Sequence, residues 1–288
     1  MIASMTGYAA VASDLGHAVL SLELKGVNSR FLDIGFRLAD ELRQVEMPLR
    51  ERIAERVGRG KLELRGYLQA QTTIARARQP NLAAIDELTG REAAVLQRVP
   101  QARPLSVSDV LRWPGVLDDD SPAAGEIQQQ ALQLVGRLLD EFVASRQREG
   151  ARLAAVLREK AATMRSIVDG VAPRVPVAIA AYQERLGTKL REAVAALDDE
   201  RIRQELGVFA AKVDVAEELA RLVAHLDEVA RVLDAGGAVG KRLDFLMQEL
   251  NREANTLASK SVSGEVTSAA LELKLLIEQM REQVQNLE

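Results

Sequence analysis

The sequence predicts an α+β protein: a small N-terminal two-layer α/β domain, an antiparallel-type sheet plus a helix, over residues 1–120, then a long-helix, mostly α domain over residues 121–288. Three observations carry this reading. Apolar and polar residues alternate with the period of a strand only in the front of the chain. Beyond about residue 125 the chain is rich in Ala, Leu, Glu, Arg and Gln, with apolar residues recurring every three or four positions. Finally, 288 residues with 47% apolar and 28% charged side chains suffice for two cores.

Taken in order, His17 to Lys25 alternates with Ala18, Leu20, Leu22 and Leu24 on one side, and Phe31 to Leu38 does so with Leu32, Ile34, Phe36 and Leu38. Between them, Gly26-Val27-Asn28-Ser29 has the composition of a turn, so the two strands are expected to pair as a hairpin. From Asp40, read as an N-cap, Leu42, Val45, Leu49, Ile53 and Val57 recur at helical spacing until Gly58. Pro48 inside this helix lacks an N–H and must bend it or displace its start. Lys61 to Leu68 is a further strand, and Ser106 to Pro122, with two prolines and Asp118-Asp119-Asp120, reads as a loop. Helices are expected near 125–170, 176–196, 200–234, 240–258 and 265–287, the last three separated by Gly236-Gly237 and Gly264.

Two of these carry heptad seams. Val215, Leu219, Leu222, Leu226, Val229 and Leu233 form one; Val266, Ala270, Leu273, Ile277, Met280, Val284 and Leu287 form the other. They predict long antiparallel hairpins or coiled packing between subunits. No solenoid repeat and no low-complexity tract is present.

Composition removes several function classes. Without cysteine there is no disulfide, no thiolate metal site and no cysteine nucleophile, so a metal must sit on oxygen or imidazole. Gly58-Arg59-Gly60-Lys61 lacks the spacing and hydroxyl of a phosphate-cradling loop. Aromatics are 3% of the chain, too sparse for a broad base-stacking platform, so RNA binding would rest on phosphate contacts and enclosure. The first residues have no basic stretch leading into an apolar one, and no later stretch is apolar enough for a membrane span, so a cytoplasmic protein is expected. The net charge of −4 is uneven: residues 23–78 hold 12 Lys/Arg against 8 Asp/Glu, whereas residues 201–288 hold 11 against 15. A basic front suits phosphates and an acidic back suits divalent cations, although solvated faces give the same pattern.

One position before the first seam runs the row Asp214, Glu218, Arg221, His225 and Glu228, which borders the buried face. Either it converges on a cleft or it is a flank of ion pairs. In the next helix Glu249 and Glu253 share a face at one-turn spacing, beside Gln248, Arg252 and Asn255. Asn-Arg-Glu and Asn-Thr are costly choices within a helix, and such costs often mark function.

Several words of the sequence resemble the YicC/YloC-like family of bacterial single-strand endoribonucleases. At the front these are Ser4-Met5-Thr6-Gly7-Tyr8, the stretch from Glu23 to Ile34, and Arg59-Gly60-Lys61. The middle contributes Arg148-Glu149-Gly150 and Trp113-Pro114-Gly115-Val116-Leu117. The back contributes the stretch from Glu217 to Leu222, His225-Leu226, the stretch from Leu243 to Thr256, Ser259-Lys260-Ser261, and the closing stretch from Arg281 to Glu288. The resemblance spans the chain and is most specific at its two ends. Gly26 and Ala224 depart from it, standing where such proteins often have serine.

The resemblance implies a metal-dependent endonuclease acting on single-stranded RNA, including small regulatory RNAs, and assembled as a ring-like homohexamer; other RNA-degradation proteins are expected partners. Its divalent cation, Mn²⁺ or Mg²⁺, would be held by carboxylates drawn from Asp214, Glu218, Glu249 and Glu253. His225, Glu249, Glu253 and Arg252 are the catalytic candidates. Lys25, Asn28, Arg30, Arg37, Arg59, Lys61, Arg221, Arg242, Asn255 and Lys260 are the candidates for holding RNA. Metal-independent attack by the ribose 2′-hydroxyl with His225 as base, and a non-catalytic RNA-binding adaptor that recruits another ribonuclease, stay open as alternatives.

Overall fold

The computed structural model describes residues 1–16, 18–70, 80–117, 124–193 and 199–288. His17 and Asp118-Asp119-Asp120 lie outside them, as does the end of the helix expected to reach residue 196. The class is α+β as expected, with the strands at the front and long helices behind. Two compact units emerge: Ala9–Lys25 with Phe31–Glu141, and Met1–Tyr8 with Gly26–Arg30 and Phe142–Glu288.

The first unit contains a four-stranded sheet of β1 (Gly7–Asp14), β2 (Ala18–Val27), β3 (Leu32–Leu38) and β4 (Gly60–Ala70), in the order β1-β2-β4-β3. The expected pairing of β2 with β3 does not form, because β4 lies between them. β3 and β4 run parallel from Leu32↔Gly60 to Leu38↔Gly66 and are joined by a helical crossover. The turn-like residues Gly26–Arg30 are instead engaged with the other unit's own residues, where Asn28 Nδ2 donates to the Gln285 carbonyl at 3.0 Å. β1 was not legible in the sequence, since its inward Ala9 and Val11 alternate with the equally apolar Ala10 and Ala12.

The inward faces of Leu20, Leu22, Leu24, Ile34, Leu62 and Leu64 are covered by Leu42, Val45, Leu49 and Ile53. These come from a 3-10 helix, Asp40–Val45, and from α1, Glu46–Arg56. Asp40 makes no cap; its carboxylate pairs with Arg43 at 3.0 Å. Pro48 displaces the helix start as expected, because beginning at Glu46 leaves proline in the first turn, where no intrahelical N–H is needed. Two helices were missed, α2 (Leu82–Arg98) and the short α3 (Val107–Arg112). The second replaces part of the expected loop and starts with a reciprocal Ser106–Asp109 capping box.

α4 runs from Ala124 to Val171, and its part up to Glu141 belongs to the first unit. The remainder packs in the second unit with α7 (Ala216–Ala235), α8 (Gly240–Lys260) and α9 (Gly264–Val284) around one core. α5 (Arg174–Ala193) and α6 (Asp199–Val213) form a further pair. Every residue of both heptad seams is buried within this chain, so the seams build intrachain packing, with α8 against both α7 and α9. Each fully buried leucine among them stabilises by roughly 1.5–3 kcal/mol. The helix expected over 200–234 is broken at Asp214-Val215, where Asp214 Oδ1 accepts from Ala216 N–H at 2.9 Å.

The chain's ends meet in this unit. Ser4 N–H donates to the Arg146 carbonyl at 2.9 Å, Met5 N–H to the Asn286 carbonyl at 2.8 Å, and Glu288 N–H to the Ala3 carbonyl at 2.9 Å. Buried Arg146 donates from Nε to the Ser4 carbonyl at 2.6 Å and pairs with the Glu288 carboxylate. The words most specific at the two ends of the sequence therefore form one structural joint.

Candidate active site

α7 and α8 form an antiparallel hairpin turned by Gly236 and Gly237, whose positive φ values of 67° and 83° suit glycine. At the start of α8, a Cβ on Gly240 would stand 2.4 Å from the Leu287 carbonyl oxygen, so only glycine lets the helix begin there. Three cross-links fix the register. Lys260 Nζ lies 2.7 Å from Glu218 Oε1 and 3.0 Å from the Asp214 carbonyl; Arg221 Nη1 lies 3.4 Å from Glu253 Oε1; Arg242 Nη2 lies 3.1 Å from Glu228 Oε1. The polar row of α7 thus faces that of α8. His225, between Arg221 and Glu228, comes level with Glu249, between Glu253 and Arg242.

Burial sorts these residues. Glu218 and Glu253 are 7% and 3% exposed, each neutralised by a cation, as buried carboxylates must be. Glu218 Oε2 nonetheless has no partner among the described residues. Arg221 is shared between Glu253 and Glu217, and the Glu217 carboxylate is the first cause of its raised pKa. Glu228 is held down to about 2, first by its hydrogen bond from Arg231, against some desolvation, and further by Arg242. His225 and Glu249 are half-buried and, among the described residues, have no hydrogen-bond or ion-pair partner. The flank of ion pairs is therefore present: salt bridges form the outer rungs, and His225 and Glu249 between them carry no partner among the described residues.

The remaining candidates are dispersed. Asp214 is exposed at the α6–α7 break, and Arg252 and Asn255 are exposed on α8. Among the described residues no three of His, Asp and Glu gather as a metal cage. A hard cation of the Mg²⁺ kind needs no such cage; it takes one or two carboxylates, keeps waters and adds substrate phosphate. Glu249, with His225 level with it, fits that smaller requirement.

In the other unit, Lys25, Arg37 and Lys61 lie exposed on the polar sheet face, which alternates with the buried one. Arg65 and Tyr67 share it and were missed, although Lys61, Glu63, Arg65 and Tyr67 form a period-two row that could have revealed them. Arg37 and Arg65 grip Glu63 at 2.7 and 2.8 Å. Its carboxyl is held below the usual range first by the Arg65 hydrogen bond, with Arg37 and Lys25 adding to it. Arg59 precedes β4, and Asn28 and Arg30 fall in the other unit.

The chain is similar to known proteins along its length. The description Endoribonuclease YicC-like, N-terminal region, matches residues 2–155, and Endoribonuclease YicC-like, C-terminal, matches residues 171–288. A probable endoribonuclease YicC from Haemophilus influenzae is 40% identical over 293 residues, covering 100% of both chains. A second, from Clostridioides difficile, is 25% identical over 297 residues, again covering 100% of both. With both halves matched and a relative of this identity along the full length, the chain belongs to the YicC-like endoribonuclease family.

Proposed function

We propose that the protein is a cytoplasmic endoribonuclease that cuts single-stranded RNA, small regulatory RNAs included, with the aid of Mn²⁺ or Mg²⁺ at the α7–α8 hairpin. It works as a homo-oligomer, the ring-like homohexamer that the resemblance implies. The observation that carries the chemistry is the open rung: His225 and Glu249 level across the hairpin, unpartnered among the described residues, between ion pairs that hold their helices in register. Leu271 and Leu275, 56% and 60% exposed one turn apart on α9, favour self-association, because a second copy would remove them from water.

Glu249 would hold the cation, with His225 beside it, and a cation there would supply a water of lowered pKa and neutralise charge on the scissile phosphate. His225 moves the proton. Arg252, Arg242 and Asn255, exposed on α8, hold phosphate and base edges of the strand. Glu253 and Glu218 act as positioning residues, because their charges are spent on Arg221 and Lys260. Lys25, Arg37, Lys61 and Arg65 attract RNA to the sheet face in a salt-dependent way.

The test is end-labelled single-stranded RNA incubated with protein in Mn²⁺, in Mg²⁺ and in chelator, beside Glu249→Gln. That variant is cleaner than one at Glu253, whose loss removes the Arg221 link between α7 and α8. Internal cleavage that requires metal and disappears in folded Glu249→Gln supports the reading. Cleavage persisting in chelator with 2′,3′-cyclic ends replaces the cation with the 2′-hydroxyl route, and binding without cleavage in every condition replaces the enzyme with an adaptor.

A further inference from the structure

Beyond the open rung, a cleft of about 610 Å³ lies where α5 and α6 meet the corner between α8 and α9. That is within the range of small-ligand sites. Two of the chain's nine aromatic residues meet on its wall: Tyr182 of α5 and Phe209 of α6 stack with ring centroids 4.6 Å apart and planes 12° from parallel. Arg185 Cζ lies over the Tyr182 ring, 5.9 Å from its centroid. Both rings are half-buried and line the cleft, so part of the stack's aromatic surface is open to it.

The lining also carries cations. Lys212 is exposed and unpaired among the described residues. Lys260 uses two of its three N–H groups, on Glu218 and on the Asp214 carbonyl, which leaves one for the cleft. Ser263 Oγ accepts from Val266 N–H and keeps its own proton to donate, whereas the Ser261 hydroxyl is spent on the Ser263 carbonyl. A flat apolar face, two ammonium groups and a hydroxyl donor match a planar heteroaromatic base carrying an anionic group.

We propose that this cleft binds one unpaired nucleotide of the RNA strand, its base on Phe209 and its phosphate on Lys212 and Lys260. The assignment rests on the endoribonuclease reading and deepens it. It explains how a chain with so few aromatics takes hold of single strands: stacking is concentrated in one cleft and needs no broad platform. Lys260 belongs to both places, so a nucleotide seated here lies at the end of the row that carries His225 and Glu249.

The experiment measures fluorescence polarisation of a short fluorescein-labelled oligoadenylate in chelator, with cleavage of the same RNA in Mn²⁺ run in parallel. Phe209→Ala should weaken binding by about 5- to 150-fold with an unchanged salt slope, and Phe209→Tyr should keep wild-type affinity. Lys212→Gln, a surface change that leaves packing intact, should weaken binding and lower the salt slope by about one. Wild-type affinity in Phe209→Ala, or an equal loss in Phe209→Tyr, overturns the subsite while wild-type cleavage leaves the endoribonuclease standing. A wild-type protein that neither binds nor cuts overturns both.

Discussion

Gly150 sits in α4 against the start of the chain, where a Cβ would stand 2.4 Å from the Ile2 carbonyl oxygen and 2.8 Å from two Ala3 backbone atoms. Real Cβ contacts essentially never fall below 3.0 Å, so Gly150→Ala forces the two backbones apart by about 0.6 Å. The first residues cannot drift away freely. Ser4 is hydrogen-bonded to Arg146 in both directions, at 2.9 and 2.6 Å, and the Ala3 carbonyl accepts from Glu288. Overpacking costs about 1–3 kcal/mol, and weakening two such hydrogen bonds adds about 1 kcal/mol each. Alanine's better helix propensity returns up to about 1 kcal/mol. The net loss is about 2–4 kcal/mol, or roughly 5–15 °C in thermal midpoint for a unit of this size. Gly170→Ala on the same helix, where an added Cβ meets nothing within 4 Å, supplies the control and should raise the midpoint slightly. Melting followed by far-ultraviolet circular dichroism compares the two. A Gly150→Ala protein melting at or above wild type would refute the argument that this glycine is required by the approach of two backbones.

Lys260→Met should destabilise by about 1–3 kcal/mol, less than a fully buried pair because the lysine is one third exposed. Lys260→Met with Glu218→Gln should recover most of it, since the buried carboxylate is then gone; denaturant midpoints for both variants check this. Glu228, whose folded pKa is about 2 against an ordinary 4.5, contributes stability that is fully present above 4.5 and lost as pH falls toward 2. Glu228→Gln should therefore flatten the acid limb of the stability profile between those values, read by urea titration at stepped pH. His225→Gln should abolish cleavage while leaving the unfolding midpoint within about 0.5 kcal/mol of wild type, as its side chain has no partner among the described residues. An equal loss of fold and activity would instead make it structural.

What the sequence determined by itself follows from short-range periodicity. The seams of α7 and α9 were legible because burial on one helix face repeats every three or four residues, and all their members proved buried. The alternation of β2, β3 and β4 was legible for the same reason, and so was the effect of Pro48, which concerns its own N–H. Strand order was not legible: Gly26-Val27-Asn28-Ser29 has the composition of a turn whether or not its flanking strands pair, and only the crossover from β3 to β4 decided that they do not. Asp214 read as one more helical row member, yet a side-chain hydrogen bond to Ala216 turned it into the break between α6 and α7. At the site, sequence supplied both polar rows without showing that they face each other. The tertiary structure set the register through Arg221–Glu253 and Arg242–Glu228, and so separated carboxylates that stabilise the fold from the one left open beside His225. Tyr182 and Phe209, 27 positions apart, show the same limit: composition counts aromatic rings, and only the packing of α5 against α6 stacks two of them in one cleft.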